Sequence, residues 1–309
     1  MKKFGKLIAY IVLAVSSFIF FLYLTFPYEV LKETAILKAS EATGLSLEIE
    51  ELGPSFPLGF KGKEIKVAST DYQLRFKSAV VSLSFLSFFI GKARVDLSLE
   101  DSKNGHLDCE VALSLFDIIQ GVYLPSNIYM ESRKFLFGQL VDFALNQQAQ
   151  SPGVNLMVKP WLESVDVDGQ LDADIDLSID SKDLKSSEGT AVVKLQNTVL
   201  KSLNPNLPIP DQVFSKALIE SKLQNGVFTI SKKSGFISQD LSIDLSGKVT
   251  QKPQLMRSLI DFNLKIVLAA PLQEQFGIIF DALAQRETKG KVNIKIQGPL
   301  TPQPNVTFL

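Results

Sequence analysis

Six aspartates follow one another closely in the middle of the chain, and carboxylates at this density could bind calcium. They are Asp166, Asp168, Asp172, Asp174, Asp176 and Asp180. A calcium loop of the EF-hand type folds its oxygen ligands around one ion and needs a glycine at its sixth position and a glutamate at its twelfth. Here the acids alternate with apolar residues, and two-residue spacing along a strand separates neighbouring carboxylates by about 6.6 Å. We therefore expect the solvated face of a strand rather than a metal site.

Histidine, cysteine and tryptophan each occur once in the chain. His106 is the one histidine, beside the turn at Asn104-Gly105, without a second residue for a catalytic triad or a metal site. Cys109 is the one cysteine, so an intrachain disulfide is excluded. It lies on the apolar face of a predicted strand, and we expect it to be a small core residue. Trp161 follows a proline and predicts packing. We predict no catalytic, cofactor-binding or metal-ligating residue, and a protein that is not an enzyme.

The charge balance limits the classes of partner. The chain of 309 residues has 32 basic and 33 acidic side chains, with 46% hydrophobic residues. Nucleic acid is not expected as a partner, because phosphate binding needs a concentrated positive field. The hydrophobic content predicts a folded protein with a sizeable core.

The elements that position these residues begin with an uncharged stretch from Leu7 to Phe26. As a helix it is about 30 Å long, the thickness of a bilayer's hydrocarbon core. Lys2, Lys3 and Lys6 precede it, so the positive-inside rule places residues 1–6 in the cytoplasm and residues 27–309 outside. A cleaved signal peptide is the alternative, but the chain stays apolar beyond Ala14-Val15-Ser16. We expect an uncleaved anchor over residues 7–26.

The rest of the chain is dominated by alternation of apolar and polar residues, which predicts β-strands. Two alternating runs flank Asn104-Gly105 and predict a hairpin. Leu74 and Phe76 share one parity, and Ala79, Val81, Leu83 and Phe85 share the other, which predicts a β-bulge near Ser78. The aspartate run is one long strand, or a hairpin if Asp168-Gly169 is a turn.

Three segments predict helices by their apolar spacing. They are Tyr28 to Thr43, which ends at Gly44, then Glu131 to Gln148, and Leu272 to Ala284. The second helix marks a possible boundary between two halves, residues 27–150 and 151–309.

The sequence therefore predicts a mainly β fold, in which a transmembrane helix precedes a curved antiparallel sheet with one or two short helices. Each strand has a full apolar face, and few helices are available to cover these faces. Two arrangements bury them, namely a sandwich of two sheets or a groove whose concave apolar side accepts acyl chains. Patterning alone favours the sandwich.

Several blocks together resemble a known family. They are FPYEVLKE (Phe26 to Glu33), ATGLSLEIEELGPSFPLGF (Ala42 to Phe60), GKARVDLSL (Gly91 to Leu99), DLSIDLSGKVTQKPQLMRSLIDFNLKI (Asp240 to Ile266) and KVNIKIQGPLTPQPNV (Lys291 to Val306). In this order, after a signal anchor, they are similar to bacterial type II secretion system protein N in its longer form, which is related to AsmA-like proteins.

The resemblance implies a single-pass protein of the bacterial inner membrane with a periplasmic β-rich domain. The implied role is that of a non-enzymatic accessory component of the type II secretion machinery, with other secretion subunits as partners. The AsmA-like relationship implies an alternative role, in which the domain binds or transfers phospholipid. This relationship also favours the groove architecture more strongly than the pattern of apolar residues alone does. The family offers no catalytic motif to carry over, and the resemblance implies no cofactor.

Overall fold

The computed structural model describes residues 25–55, 58–69, 73–121, 124–150, 164–202, 210–252, 254, 257–284, 288–300 and 304–308, together with Leu13, Ser17 and Phe21. Within this part of the chain there are five α-helices: α1 Tyr28–Thr43, α2 Phe85–Phe89, α3 Leu115–Ile119, α4 Gly138–Gln150 and α5 Ala270–Ala284. A 3-10 turn covers Leu184–Ser186.

The strands of the described part are sixteen, and all belong to one sheet. They are β1 Ser46–Ser55, β2 Gly59–Ala68, β3 Gln73–Leu83, β4 Lys92–Glu100, β5 His106–Ser114, β6 Pro125–Leu136, β7 Val165–Ser178, β8 Glu188–Ser202, β9 Gln212–Val213, β10 Lys216–Gln224, β11 Val227–Ile230, β12 Gly235–Ile237, β13 Leu241–Thr250, β14 Leu259–Leu268, β15 Lys291–Pro299 and β16 Asn305–Phe308. The fold is mainly β, as the sequence predicts.

The sheet follows the order of the chain, with antiparallel neighbours throughout. Its main path runs from β1 to β8 and then through β10, β11, β13, β14, β15 and β16, while β9 and β12 pair beside it. Such an up-and-down order leaves β1 and β16 as the two edges. The β6–β7 ladder crosses the position near residue 150 where the sequence predicts a boundary between halves.

The predicted change of face near Ser78 is part of an irregularity that three strands share. Glu50, Glu64 and Lys77 have no partner in the ladders of β1, β2 and β3, and Glu64 has a φ of 46°. A Cβ atom on Gly62 would lie 3.0 Å from Cδ1 of Ile65, so these two positions face the same side although they are three apart. Because all three strands change face at one level, the β2–β3 register is the same on both sides of it.

The predicted hairpin at Asn104-Gly105 is confirmed as β4 and β5, with Asn104 at a φ of 61°. The aspartate run is one strand, β7, rather than a hairpin. Its ladder with β8 shifts register between Asp168 and Gln170, so Gly169 lies in a bulge and not in a turn.

The helix predicted from Glu131 to Gln148 is wrong at its start. Residues 131–136 form the end of β6, and helix α4 begins at Gly138. The pairing of β6 with β5 and β7 outweighs the local helical spacing, and a register shift between Ser132 and Phe135 accommodates Lys134 at a φ of 53°. The predicted helices at Tyr28–Thr43 and Leu272–Ala284 are confirmed as α1 and α5.

The predicted anchor over residues 7–26 lies largely outside the described residues, which include Leu13, Ser17, Phe21, Thr25 and Phe26 of it. Within the described part of the chain, the helices lack the combination of length and apolar character needed to cross a bilayer.

Candidate functional site

One line of directly paired residues crosses all fourteen strands of the main path. From β1 to β16 it consists of Pro54, Phe60, Val81, Leu97, Cys109, Met130, Ile175, Ala191, Ser221, Ile230, Gly247, Phe262, Ile296 and Val306. We call this line the apolar row. At about 4.8 Å between strands it spans about 60 Å. Directly paired residues share one face of a sheet, so the row marks one continuous face with two polar or side-chain-free positions, Ser221 and Gly247.

No member of the apolar row is buried. Eleven are half-buried, and Pro54, Val81 and Val306 are exposed. In β4 all nine residues are half-buried, whichever face they are on. A strand inside a sandwich would bury one face, and the exposure of both faces of β4 is typical of a single layer.

The sheet bends toward the apolar row near its first edge. Phe76 of β3 and Phe135 of β6 are three strands apart, about 14 Å in a flat sheet. Their rings stack with centroids 6.4 Å apart. Phe135 is fully buried. The face that has the apolar row is therefore concave between these strands.

Two clusters close parts of this face. Leu177 of β7 and Leu223 of β10 pack with Leu124 and Ile179 from the connections. Helix α5 places Leu272 and Phe276 against the end of β14. These clusters lie at opposite ends of the strands, and between them the apolar row stays half-exposed.

The opposite face of the sheet is polar. A hollow of about 500 Å³ on it is lined by side chains of β8, β10 and β11, among them Thr190, Glu220, Lys222 and Thr229. The acid and the base among these side chains do not form a field of one sign, and we assign no ligand to the hollow.

Four of the six aspartates of the β7 region are exposed, as predicted for a solvated face: Asp168, Asp174, Asp176 and Asp180. Asp172 is half-buried and accepts hydrogen bonds from the Lys134 backbone N–H and from Nε2 of Gln196. Among the described residues, no three or more histidine, cysteine, aspartate and glutamate side chains are grouped so that they could hold a metal ion.

Asp142 of α4 is an acid that the sequence does not single out. It is buried, with Oδ1 accepting a hydrogen bond of 3.1 Å from the backbone N–H of Val167. Burial raises its pKa to about 6, and the charges of Asp166 and Asp168 act in the same direction, while the Val167 N–H opposes them. A group of aspartates from two elements therefore meets at the start of β7, and no pattern within either element indicates it.

His106 lies at the start of β5, beside the predicted turn, where it is exposed and paired with Glu100 of β4. Cys109 is half-buried in the apolar row between Leu97 and Met130, so it lies on the predicted face but outside a closed core. Burial raises the pKa of its thiol above the usual range, which disfavours a reactive thiolate. Trp161 lies outside the described residues.

No protein-family model, no curated protein and no solved structure matches this chain. The candidate site is therefore defined by its geometry. It is an apolar face, about 60 Å long and concave between β3 and β6, that the described part of the chain leaves half-exposed. The sequence predicts which residues of each strand are apolar, but the alignment of these residues into one row depends on the registers of thirteen ladders.

Proposed function

We propose that this protein is a non-enzymatic, membrane-anchored module that holds lipid acyl chains along the apolar row. One observation carries the proposal: the fourteen directly paired residues from Pro54 to Val306 are almost all apolar, and none is buried.

The exposure of this face to water is energetically unfavourable. Apolar surface in water costs about 25 cal/mol for each Å² that burial would remove. Contiguous exposed apolar patches above a few hundred Å² are uncommon on soluble monomers and mark interaction sites. Acyl chains fit this face because they are long, flexible and apolar. The apolar side chains of the row also require no hydrogen bond from a ligand.

The half-buried β4 and the ring contact between Phe76 and Phe135 favour a groove over a sandwich. A sandwich would need a second layer against Leu97 and its neighbours. The described strands belong to a single sheet, which supports the groove as the finer description of the fold.

The proposed location is the bacterial inner membrane. The uncharged residues 7–26 would be the anchor, Lys2, Lys3 and Lys6 would stay in the cytoplasm, and the sheet would lie in the periplasm. Support comes from the sequence and from the direction of the chain, since Phe26 leads directly into helix α1 along the β1 edge.

The decisive experiment uses a photoreactive amino acid at two adjacent positions of β4 in the full chain. Leu97 is on the apolar row and Ser98 is on the opposite face, and both are half-buried. In cells grown with radioactive phosphate, we expect irradiation to attach labelled phospholipid at position 97 and not at position 98. Equal labelling at both positions, or none at position 97, would reject the lipid-holding function.

The second candidate function is that of an accessory component of type II secretion. The sequence resemblance motivates it, and the edge strand β16 provides a docking site, because Asn305, Val306 and Thr307 are exposed there. Deleting the gene should lower export of type II substrates, whereas the lipid function alone predicts normal export with a permeable outer membrane.

A further inference from the structure

An exposed apolar surface lies at one end of the sheet, separate from the apolar row's central part. Six side chains of two short helical turns form it: Leu86, Phe88, Phe89, Ile90, Phe116 and Ile119. We call this surface the end patch. Their exposed fractions range from 41% for Phe88 to 84% for Ile119, far above those of packed side chains.

The end patch is held together by the strand connections that contain it. Helix α2 joins β3 to β4, and helix α3 follows β5, so antiparallel pairing places both at the same end of the sheet. The Leu115 N–H at the start of α3 donates a hydrogen bond of 2.9 Å to the Gly91 carbonyl just after α2. The two turns are therefore neighbours on a fixed backbone.

The end patch has the chemistry of a surface that contacts an apolar medium. The segment from Leu83 to Ile90 contains no charged residue. The acid of α3, Asp117, is buried and accepts a hydrogen bond of 2.5 Å from Oγ of Ser181. The Nζ atom of Lys182 lies 4.7 Å from the centroid of the Phe116 ring, where a cation borders the apolar surface.

The end patch also lies at the end of the sheet where the N-terminal segment leaves it. The Phe26 ring lies 5.8 Å from the Phe60 ring in β2. Leu58, just before β2, accepts a hydrogen bond of 2.8 Å at its carbonyl from the N–H of Leu83 in β3. Phe26, where the predicted anchor ends, and the helix that follows Leu83 thus lie at the same end of the strands, a few strands apart.

We propose that the end patch inserts into the lipid bilayer beside the anchor, so that the sheet contacts the membrane at two places. Aromatic and aliphatic side chains without charge, bordered by a lysine, match the interfacial layer of a bilayer with anionic headgroups. A second contact fixes the angle of the sheet to the membrane and directs the β1 side of the apolar row toward the lipid. The proposal rests on the membrane anchoring of the proposed function and adds a contact surface to it.

The test compares two isoleucines with matched exposure at opposite ends of the strands. Ile119 of α3 is 84% exposed and Ile278 of α5 is 79% exposed. Each is replaced by cysteine, Ile119→Cys or Ile278→Cys, in the full chain with Cys109→Ala, and labelled with an environment-sensitive dye. The chain is reconstituted in vesicles of phosphatidylethanolamine and phosphatidylglycerol with and without lipids that have a quencher on the acyl chain.

We expect several-fold quenching and a blue-shifted emission at position 119, and water-like emission without quenching at position 278. A water-like dye at position 119 would overturn the proposal. So would a blue-shifted dye that acyl-chain quenchers do not reach, because a protein partner or a second copy would then cover the patch.

A third label, Phe21→Cys, separates this proposal from the anchor. Quenching at position 21 without quenching at position 119 would reject the end patch alone. Absence of quenching at both positions would reject the anchor and the end-patch contact together. Photocrosslinking at Leu97 tests the lipid-holding function separately from the quenching at positions 21 and 119.

Discussion

Asp101 joins the β4–β5 hairpin to a third strand. Its Oδ1 atom accepts hydrogen bonds from the N–H groups of Lys103 and Gly105 at 2.7 and 2.9 Å, and its Oδ2 atom accepts one of 2.6 Å from the N–H of Leu136 in β6. The residue is 3% exposed. The first two bonds lie within the predicted turn, whereas the third depends on how β6 lies beside the turn.

We predict that Asp101→Ala destabilises the fold by about 2–4 kcal/mol, because it leaves buried N–H groups without acceptors. The matched control is Asp108→Ala, since Asp108 is exposed on β5 of the same hairpin. The control should change stability by less than about 0.5 kcal/mol. Chemical unfolding of the full chain in detergent, followed by circular dichroism, measures both, and equal stability of the two variants would contradict the role of Asp101.

Asp142 gives the fold a pH dependence whose sign can be worked out. Its pKa is raised from 3.8 to about 6 in the folded chain, so folding favours the protonated form. This contribution is present below pH 3.8 and is lost as the pH rises through 6. We predict that stability falls by about 1 kcal/mol between pH 5 and pH 8, a value reduced for partial solvent screening.

Asp142→Asn should remove this fall in stability, because the amide does not ionise. Asp180→Asn is the control: backbone N–H groups of Asp183 and Lys182 lower the pKa of Asp180, so its contribution is lost only in acid, below its usual value. The control variant should therefore keep the fall between pH 5 and pH 8. Melting temperatures across this range measure the effect, and an unchanged slope in Asp142→Asn would refute it.

At the scale of elements, the bulge at Gly169 lets β7 stay one strand. Gly169 has a φ of 154°, and a Cβ atom there would lie 2.7 Å from Cε1 of Phe137 and 2.9 Å from Oγ1 of Thr198. We predict that Gly169→Ala destabilises the chain by about 1–3 kcal/mol through this overpacking. Gly53→Ala in β1 is the control, since nothing lies within 4 Å of a Cβ atom at that position. If both variants melt at the same temperature, the bulge does not need glycine.

Alternation predicts most strands of this chain because the period of two is local, and it predicts the change of face near Ser78 for the same reason. It does not predict that Glu50, Glu64 and Lys77 break their ladders at one level, since that depends on pairing. Local spacing places the start of α4 too early, because residues 131–136 pair as a strand and the pairing outweighs the spacing. The sequence does not indicate Asp142, because its pKa is raised by burial under the tertiary fold and by the charges of Asp166 and Asp168 on another element.

At the scale of the whole molecule, the apolar row is longer than one bound acyl chain requires. A ligand held only between β3 and β6 would occupy just the concave part of the face, where the ring of Phe76 stacks on that of Phe135. The row continues to Val306 at the far edge, about 60 Å from Pro54, and a single acyl chain does not need that length. A continuous row suits several lipids, or one that moves along the sheet from the β1 edge, where the predicted anchor lies.

If lipid moves along the row, labelling at a distant strand should depend on the strands between, which binding at one local site would not require. A photoreactive amino acid at Ile294, on the same face of β15 as Ile296, should be labelled by phospholipid as Leu97 is. Ile219→Asp in β10 places a charge on the apolar face midway between them, next but one to Ser221 of the row. It should reduce labelling at position 294 several-fold while leaving labelling at position 97 intact, because a buried charge is expensive beside an acyl chain.

Lys222→Asp is the control for this block, since it places the same side chain in the same strand but on the polar face, where Lys222 is exposed. It should leave labelling intact at both positions. If Ile219→Asp also leaves position 294 fully labelled, lipid reaches β15 without passing β10, and the row consists of separate sites. If the variant lowers labelling at position 97 alone, lipid enters from the β16 edge. If it lowers labelling at both positions equally, the fold is disturbed, and a lowered melting temperature of the variant would show this. Loss confined to position 294 requires that lipid enters on the β1 side, which is the direction that the position of Phe26 against Phe60 predicts.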